Sequence, residues 1–250
     1  MRVEQTSSFL LDIVRGCYSS VDFGLAPFQR DYAWTKHDVE SLLKSLTRRW
    51  PVGSFTIWQP SEPGLYPTKG RLGPIEHPRN VRNLILDGQN RLASLIYASL
   101  IQSASKNPEH PYSAREIEVW FGNDILVADY ATKSISFMSP DEAWSDTRAP
   151  FGDIMDATVF NRKRQFDVSS KLMDLGASDD AFDWLMDAVP SSIREARITV
   201  TTLLDASLDE ARDCYLTICR AGQPISDKEF DYAFSYGDSD QTSQNLPLKL

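Results

Sequence analysis

The stretch Leu84-Ile85-Leu86-Asp87-Gly88-Gln89-Asn90-Arg91-Leu92-Ala93-Ser94-Leu95-Ile96 constrains the fold more than any other part of the chain. Leu84, Ile85 and Leu86 form the short apolar run of a buried strand, whereas Leu92, Leu95, Ile96 and Leu100 recur at helical spacing. Only polar residues and Gly88 separate the two periods, so the strand must turn directly into the helix. Such a switch leaves unpaired N–H groups at the helix start, where the dipole is positive and anions bind. Gly88 would let the backbone approach a ligand, and Arg91 carries a planar fork suited to phosphate. Two readings of the turn stand side by side. In one it is a phosphate site; in the other Asp87 caps the helix and pairs with an arginine to hold the fold.

With 250 residues, 42% hydrophobic and 24% charged, the chain can bury a substantial core in one large domain or two small ones. No apolar run approaches the length of a membrane span, and no basic segment with a long apolar core marks a secretory signal. Cys17, Cys214 and Cys219 lack metal-site spacing and read as reduced thiols of a cytoplasmic protein. His37, His77 and His110 lie too far apart to form a zinc or catalytic signature. The net charge of −9 argues against binding nucleic acid by bulk attraction. That charge is uneven: residues 1–100 carry twelve Lys/Arg and nine Asp/Glu (+3), and residues 101–250 carry fourteen and twenty-six (−12). A polyanion should therefore be held by the first half, at a defined site.

Along the chain, Phe9, Leu10, Ile13 and Val14 predict a helix capped by Thr6-Ser7-Ser8 and ended by Gly16. A short strand is expected over Val21–Ala26. Phe28-Gln29-Arg30-Asp31-Tyr32-Ala33-Trp34 follows Pro27 and is dense in recognition groups. Gln29 and Arg30 supply donors and precede a helix start, from which they could converge with the glycine turn. Tyr32 and Trp34 offer flat faces for stacking, or serve the core. Thr35 caps a helix whose stripe is Val39, Leu42, Leu43, Leu46 and Trp50, stopped by Pro51. Gly53–Trp58 reads as a strand of β-branched and aromatic residues. Residues 60–82, rich in Pro and Gly, form a long loop carrying Lys69, Arg71, Arg79 and Arg82, which is either a lid or an insertion. A helix should run from Arg91 to about Ser105. Strands are expected at 117–121 and 125–128 around a turn at 122–124, with a third over 133–138. Residues 139–160 look irregular. Helices are then expected at 166–175, at 179–189 with Pro190 beyond, at 208–219 closed by Gly222, and at 227–234, with a strand at 197–204 and a polar tail from Gly237.

Three segments carry a resemblance. Pro27-Phe28-Gln29-Arg30-Asp31-Tyr32-Ala33-Trp34, then Pro51-Val52-Gly53-Ser54-Phe55, then Asp87-Gly88-Gln89-Asn90-Arg91 occur in the order and rough spacing of the N-terminal domain of GmrSD-like type IV restriction enzymes. These are prokaryotic anti-phage defence proteins directed at modified phage DNA. Tyr215–Glu229 resembles that family's C-terminal signature, with Thr217 and Cys219 where Arg and Asn are usual. Asn90 stands where the family usually has a second Gln.

The resemblance implies an α+β fold: a ParB/sulfiredoxin-like mixed-sheet core over 1–138 bearing the first and third motifs, a mainly helical half of the same domain over 139–236, and a tail over 237–250. It implies nucleotide binding and hydrolysis coupled to DNA sensing, in a module without its own nuclease that works with a separate nuclease or effector subunit. Carried over residue by residue, the motifs put Asp87, Gln89, Arg91 and Arg30 in catalysis and Gln29, Arg30, Gly88, Gln89 and Arg91 around the phosphates. Either Gln29 or Gln89 would orient the attacking water. Mg²⁺ would sit on Asp87 with a nucleoside triphosphate, and Tyr32 or Trp34 would stack on a base. The alternative is a non-catalytic DNA- or protein-binding module built on the same phosphate site.

Overall fold

The computed structural model describes residues 1–18, 22–73, 75–76, 81–104, 121–122, 124–221 and 226–236. The chain runs β1 (Arg2–Phe9), α1 (Leu10–Tyr18), β2 (Phe23–Leu25), α2 (Lys36–Thr47), β3 (Ser54–Gln59), β4 (Arg71–Leu72), β5 (Ile75–Glu76), β6 (Asn83–Asp87) and α3 (Gln89–Ala104). It continues with β7 (Ile125–Asp129), β8 (Ser134–Met138), β9 (Arg148–Pro150), α4 (Phe151–Met155), α5 (Gln165–Asp174), α6 (Asp179–Asp183), α7 (Val189–Arg194), β10 (Arg197–Leu204), α8 (Leu208–Ala221) and α9 (Asp227–Ser235). The fold is α+β, as expected. Residues 117–120 of the strand expected over 117–121, Asn123 of the expected turn, Arg79, Gly222 and the tail from 237 lie outside the described residues.

The main sheet has the order β1-β10-β3-β6-β2 and is mixed. β1 is antiparallel to β10, β10 parallel to β3, β3 antiparallel to β6, and β6 parallel to β2. The second half of the chain is thus mainly helical, but it also returns β10 to the middle of the sheet.

Side chains alternate across this sheet, as a two-sided strand requires. Phe55, Ile57, Ile85, Ile198 and Val200 join one core with α1, α2 and α3. Trp58, Leu84, Leu86 and Leu203 join the other, closed by Tyr215 and Leu216 of α8 and Ala233 of α9. In α2, Val39, Leu42, Leu43 and Leu46 are buried as the stripe predicts. They share a core with Ile85, while Leu84 and Leu86 face away.

Several expectations are corrected. Thr6-Ser7-Ser8 do not cap a helix; they lie in β1, opposite Val200, Thr199 and Ile198. α1 starts at Leu10 and passes through Gly16, which sits so close to the Phe23 ring that a Cβ would come within 2.6 Å of it. Trp50 falls beyond the end of α2 and is 55% exposed. Residues 139–160 are not irregular: β9 joins a second sheet of order β8-β7-β9, and α4 leads into a wide π-type turn over Asp156–Phe160. The helix from Asp179 does not stop at Pro190, because another π-type turn over Trp184–Ala188 precedes α7 and absorbs the donor that proline lacks.

The long loop after β3 is anchored. Its β4–β5 hairpin buries Leu72, and Tyr66 packs on Trp58 with ring centroids 4.7 Å apart. Lys69 N–H bonds to the Leu25 carbonyl at the β2 edge.

Candidate functional site

At the end of β6 the register with β3 slips. Ile85 faces Ile57, but Asp87 faces Thr56, so Leu86 is an extra residue in a bulge. Bulges re-aim the residues that follow, and here the bulge comes just before Asp87, the last residue of β6, and Gly88. Gly88 has φ +100°, and a Cβ there would lie 2.0 Å from Cδ1 of Phe55. The glycine is thus required by the Phe55 ring packed against it, and not only by an approaching ligand. Leu92 N–H bonds to the Gly88 carbonyl, which starts α3 behind a residue with no capping side chain.

Arg91 is committed to the protein. Its guanidinium donates to the Val52 and Ser54 carbonyls at 2.6 Å each and to Asp87 Oδ2 at 3.0 Å. It also lies over the Phe55 ring, 5.2 Å from the centroid. Burial lowers the pKa of the guanidinium and the adjacent Asp87 carboxylate opposes that shift. Gly53, at φ +89°, leaves room for Nη1, which a Cβ would meet at 2.2 Å. The Pro51–Phe55 and Asp87–Arg91 segments are therefore one interlocked unit. The pairing half of the structural reading of the turn holds, since Asp87 bonds Arg91.

The first motif locks onto the same turn. Gln29 is 3% exposed and its Nε2 donates to the carbonyls of Ile85 (3.0 Å) and Leu86 (2.6 Å), the two residues at the bulge. Gln89 Nε2 donates to the Arg30 carbonyl at 3.0 Å, and Ala33 N–H to Asn90 Oδ1 at 3.3 Å. Tyr32 OH and Ser94 Oγ lie 2.8 Å apart. Burial raises the Tyr32 phenol to about 12, so it stays protonated at neutral pH. Lys69 Nζ reaches Asp31 Oδ1 and the Gln29 carbonyl, both at 2.6 Å.

These contacts leave a cleft of about 180 Å³ at the start of α3. Arg30, Trp34, Asp87, Gln89 and Asn90 line it, with Tyr215 and Cys219 arriving from α8. Gln29, Gly88 and Arg91 also reach its wall; Tyr32 does not, being turned towards Ser94 and Phe121. Gln89 is 8% exposed, and its buried Oε1 has no hydrogen-bond partner. An unpaired buried acceptor is costly unless a ligand or water supplies a donor.

Tyr215 and Cys219 were not singled out as site residues, although they fall in the C-terminal signature. Tyr215 OH accepts from Arg30 N–H at 3.2 Å, and burial raises the pKa of both the phenol and the Cys219 thiol. These groups therefore stay neutral beside Arg30. Among the described residues, Asp87, 37% exposed at its side chain, is the one carboxylate on the cleft wall. A single carboxylate fits Mg²⁺ that arrives on phosphates, because that ion commonly takes one or two carboxylates plus phosphate oxygens.

Residues 10–230 match the GmrSD restriction endonuclease, N-terminal domain, family. The chain belongs to this family. An uncharacterized protein of Methanocaldococcus jannaschii is 37% identical over 120 residues, which cover 45% of this chain and 20% of that protein. The chain thus matches about a fifth of its relative's length. The matched family is, by its description, the N-terminal domain of a restriction endonuclease. Among the described residues, no helix is long and apolar enough to cross a membrane.

Proposed function

We propose that this module binds the phosphates of a nucleoside triphosphate in the α3 cleft and hydrolyses it in the course of sensing DNA. The observation that carries this reading is the meeting of Arg30, Gln89, Asn90 and the start of α3 on one cleft. The N–H groups of the first turn precede the first intrahelical bond, from Leu92 to Gly88, and so are available to phosphate oxygens. Arg30 supplies a cation at the same wall.

The residues divide the work. Arg30 would stabilise charge that develops on the transferred phosphoryl group. Gln89 Oε1, buried at the cleft without a hydrogen-bond partner, is suited to accept a hydrogen bond from the attacking water, a feature Gln29 does not share. Gln89 is therefore the better candidate to orient that water. Arg91 acts as a positioning residue that fixes Asp87 and the 52–54 turn. Asp87 would hold Mg²⁺, which supplies neutralisation of phosphate charge when bound. Trp34 is the stacking face on the cleft wall; Tyr32 supports the motif from behind.

A phosphate-release assay across the common nucleoside triphosphates with Mg²⁺ tests this. Release should occur and should fall by about 10²–10³ in Arg30→Ala, the usual effect of removing one charge-stabilising group, and should also fall in Gln89→Ala. Triphosphate binding without release from any of them would favour the non-catalytic reading. One observation leans that way: the cleft is smaller than the roughly 300–1,000 Å³ of sites that bury a whole small ligand. It can seat a phosphoryl group or a base edge, with the rest of the ligand in solvent.

A further inference from the structure

A second surface breaks local rules at the end of α2. α2 ends in a Schellman motif, in which Trp50 N–H bonds to the Ser45 carbonyl and Arg49 N–H to the Leu46 carbonyl. The left-handed residue of such a motif is usually glycine, and the next side chain usually packs back on the helix. Here the left-handed residue is Arg49, at φ 59°, and the next is Trp50, 55% exposed. Violations of this kind, an exposed indole beyond a left-handed non-glycine residue, point to function.

The surroundings give the surface its chemistry. Trp50, Pro51 and Val52 wall a groove of about 240 Å³, with Arg49, Glu195 and Arg197 on its margin. Arg48 lies over the Trp50 ring at 5.0 Å from its centroid, and Arg197 over the exposed Phe9 ring at 4.1 Å. Arg49 pairs with Glu195, the acidic residue of the groove. Arginines thus outnumber acids here, on a chain whose net charge is −9. An exposed indole framed by guanidinium groups suits a ligand with flat rings and regularly spaced anions. That is the chemistry of a single nucleic-acid strand: bases stack on aromatic faces, and phosphates follow a basic track.

We infer that the Arg48–Trp50 corner and Arg197 form a contact for single-stranded DNA, separate from the α3 cleft. A base stacks on Trp50, and the flanking phosphates meet Arg48, Arg49 and Arg197. The two sites share one turn, since Val52 lines this groove while its carbonyl is held by Arg91.

The test is fluorescence anisotropy of the full chain with a labelled oligothymidylate, without nucleotide, so that the outcome does not depend on the cleft holding a triphosphate. Binding should weaken with salt with a log–log slope of about −2, given three phosphate contacts. Trp50→Ala should weaken it by about tenfold or more, as expected for loss of one stacked base. Arg49→Gly should also weaken binding while raising Tm by about 2–4 °C, because glycine relieves the left-handed strain. A purely structural Arg49 would not separate those two readouts. Absence of oligonucleotide binding, affinity unchanged in both variants, or equal competition by polyglutamate of matched charge would overturn the inference. Tight binding of an acidic protein in its place would reassign the surface to a protein partner.

Discussion

The family motif divides into residues that build the turn and residues that face the cleft. Gly88 and Arg91 belong mainly to the first group. Gly88→Ala meets Phe55 at 2.0 Å in a left-handed conformation, so it should destabilise the fold by ~2–4 kcal/mol, read by urea unfolding. Arg91→Ala removes the donors to two backbone carbonyls and to Asp87. It should cost ~2–4 kcal/mol and lower Tm, and Arg91→Lys should recover little, since an ammonium cannot span these acceptors in one plane. An Arg91→Ala variant with unaltered stability would contradict this assignment. Arg30 borders the cleft with its side chain while its backbone holds Gln89 and Tyr215, so Arg30→Ala should impair ligand binding, read by titration with a nucleoside triphosphate.

At the scale of elements, α2 joins a cap to a core stripe. Thr35 N–H and Oγ1 both donate to Asp38 Oδ2 at 2.8 Å, and these bonds hold the Asp38 pKa below its usual range. A depressed carboxylate contributes stability above its unfolded pKa of ~3.9 and loses it as pH falls through the lower folded value. Asp38→Asn should therefore destabilise at pH 7 by about 0.5–1 kcal/mol, with the difference from wild type vanishing in acid. On the buried side, Leu43 is 0% exposed, and Leu43→Ala should cost ~2–5 kcal/mol in the same unfolding experiment. This helix was legible because Thr35, its stripe and Pro51 all agree. Trp50 was misassigned because its position fits the helical period, and the period does not reveal the left-handed exit at Arg49.

At the scale of the whole molecule, the hidden feature is non-local pairing. β1 is exposed along nearly all its length and gains its order from β10, so its Ser and Thr residues imitate a helix cap in sequence. β10 itself was legible as a strand, but its insertion between β1 and β3 was not, because nothing near residue 197 encodes partners at residues 2–9 and 54–59. A fragment of residues 1–138 lacks that central strand and should fail to give a cooperative unfolding transition by circular dichroism; a two-state transition at wild-type Tm would show that β10 is dispensable. The convergence of the motifs was legible as a requirement of the chemistry. Its physical means were not: the Leu86 bulge, the Gln29 clamp and the Phe55 ring under Gly88 exist only once the sheet has formed.

The central claim is that these interlocked motifs build one phosphate seat. A crystal structure of the chain with a non-hydrolysable nucleoside triphosphate and Mg²⁺ tests it most directly. The account predicts phosphate density at the N–H groups of Gln89 and Asn90, within reach of the Arg30 guanidinium, with Arg91 still bonded to Val52 and Ser54. Triphosphate bound elsewhere, with the α3 cleft unchanged, would contradict it.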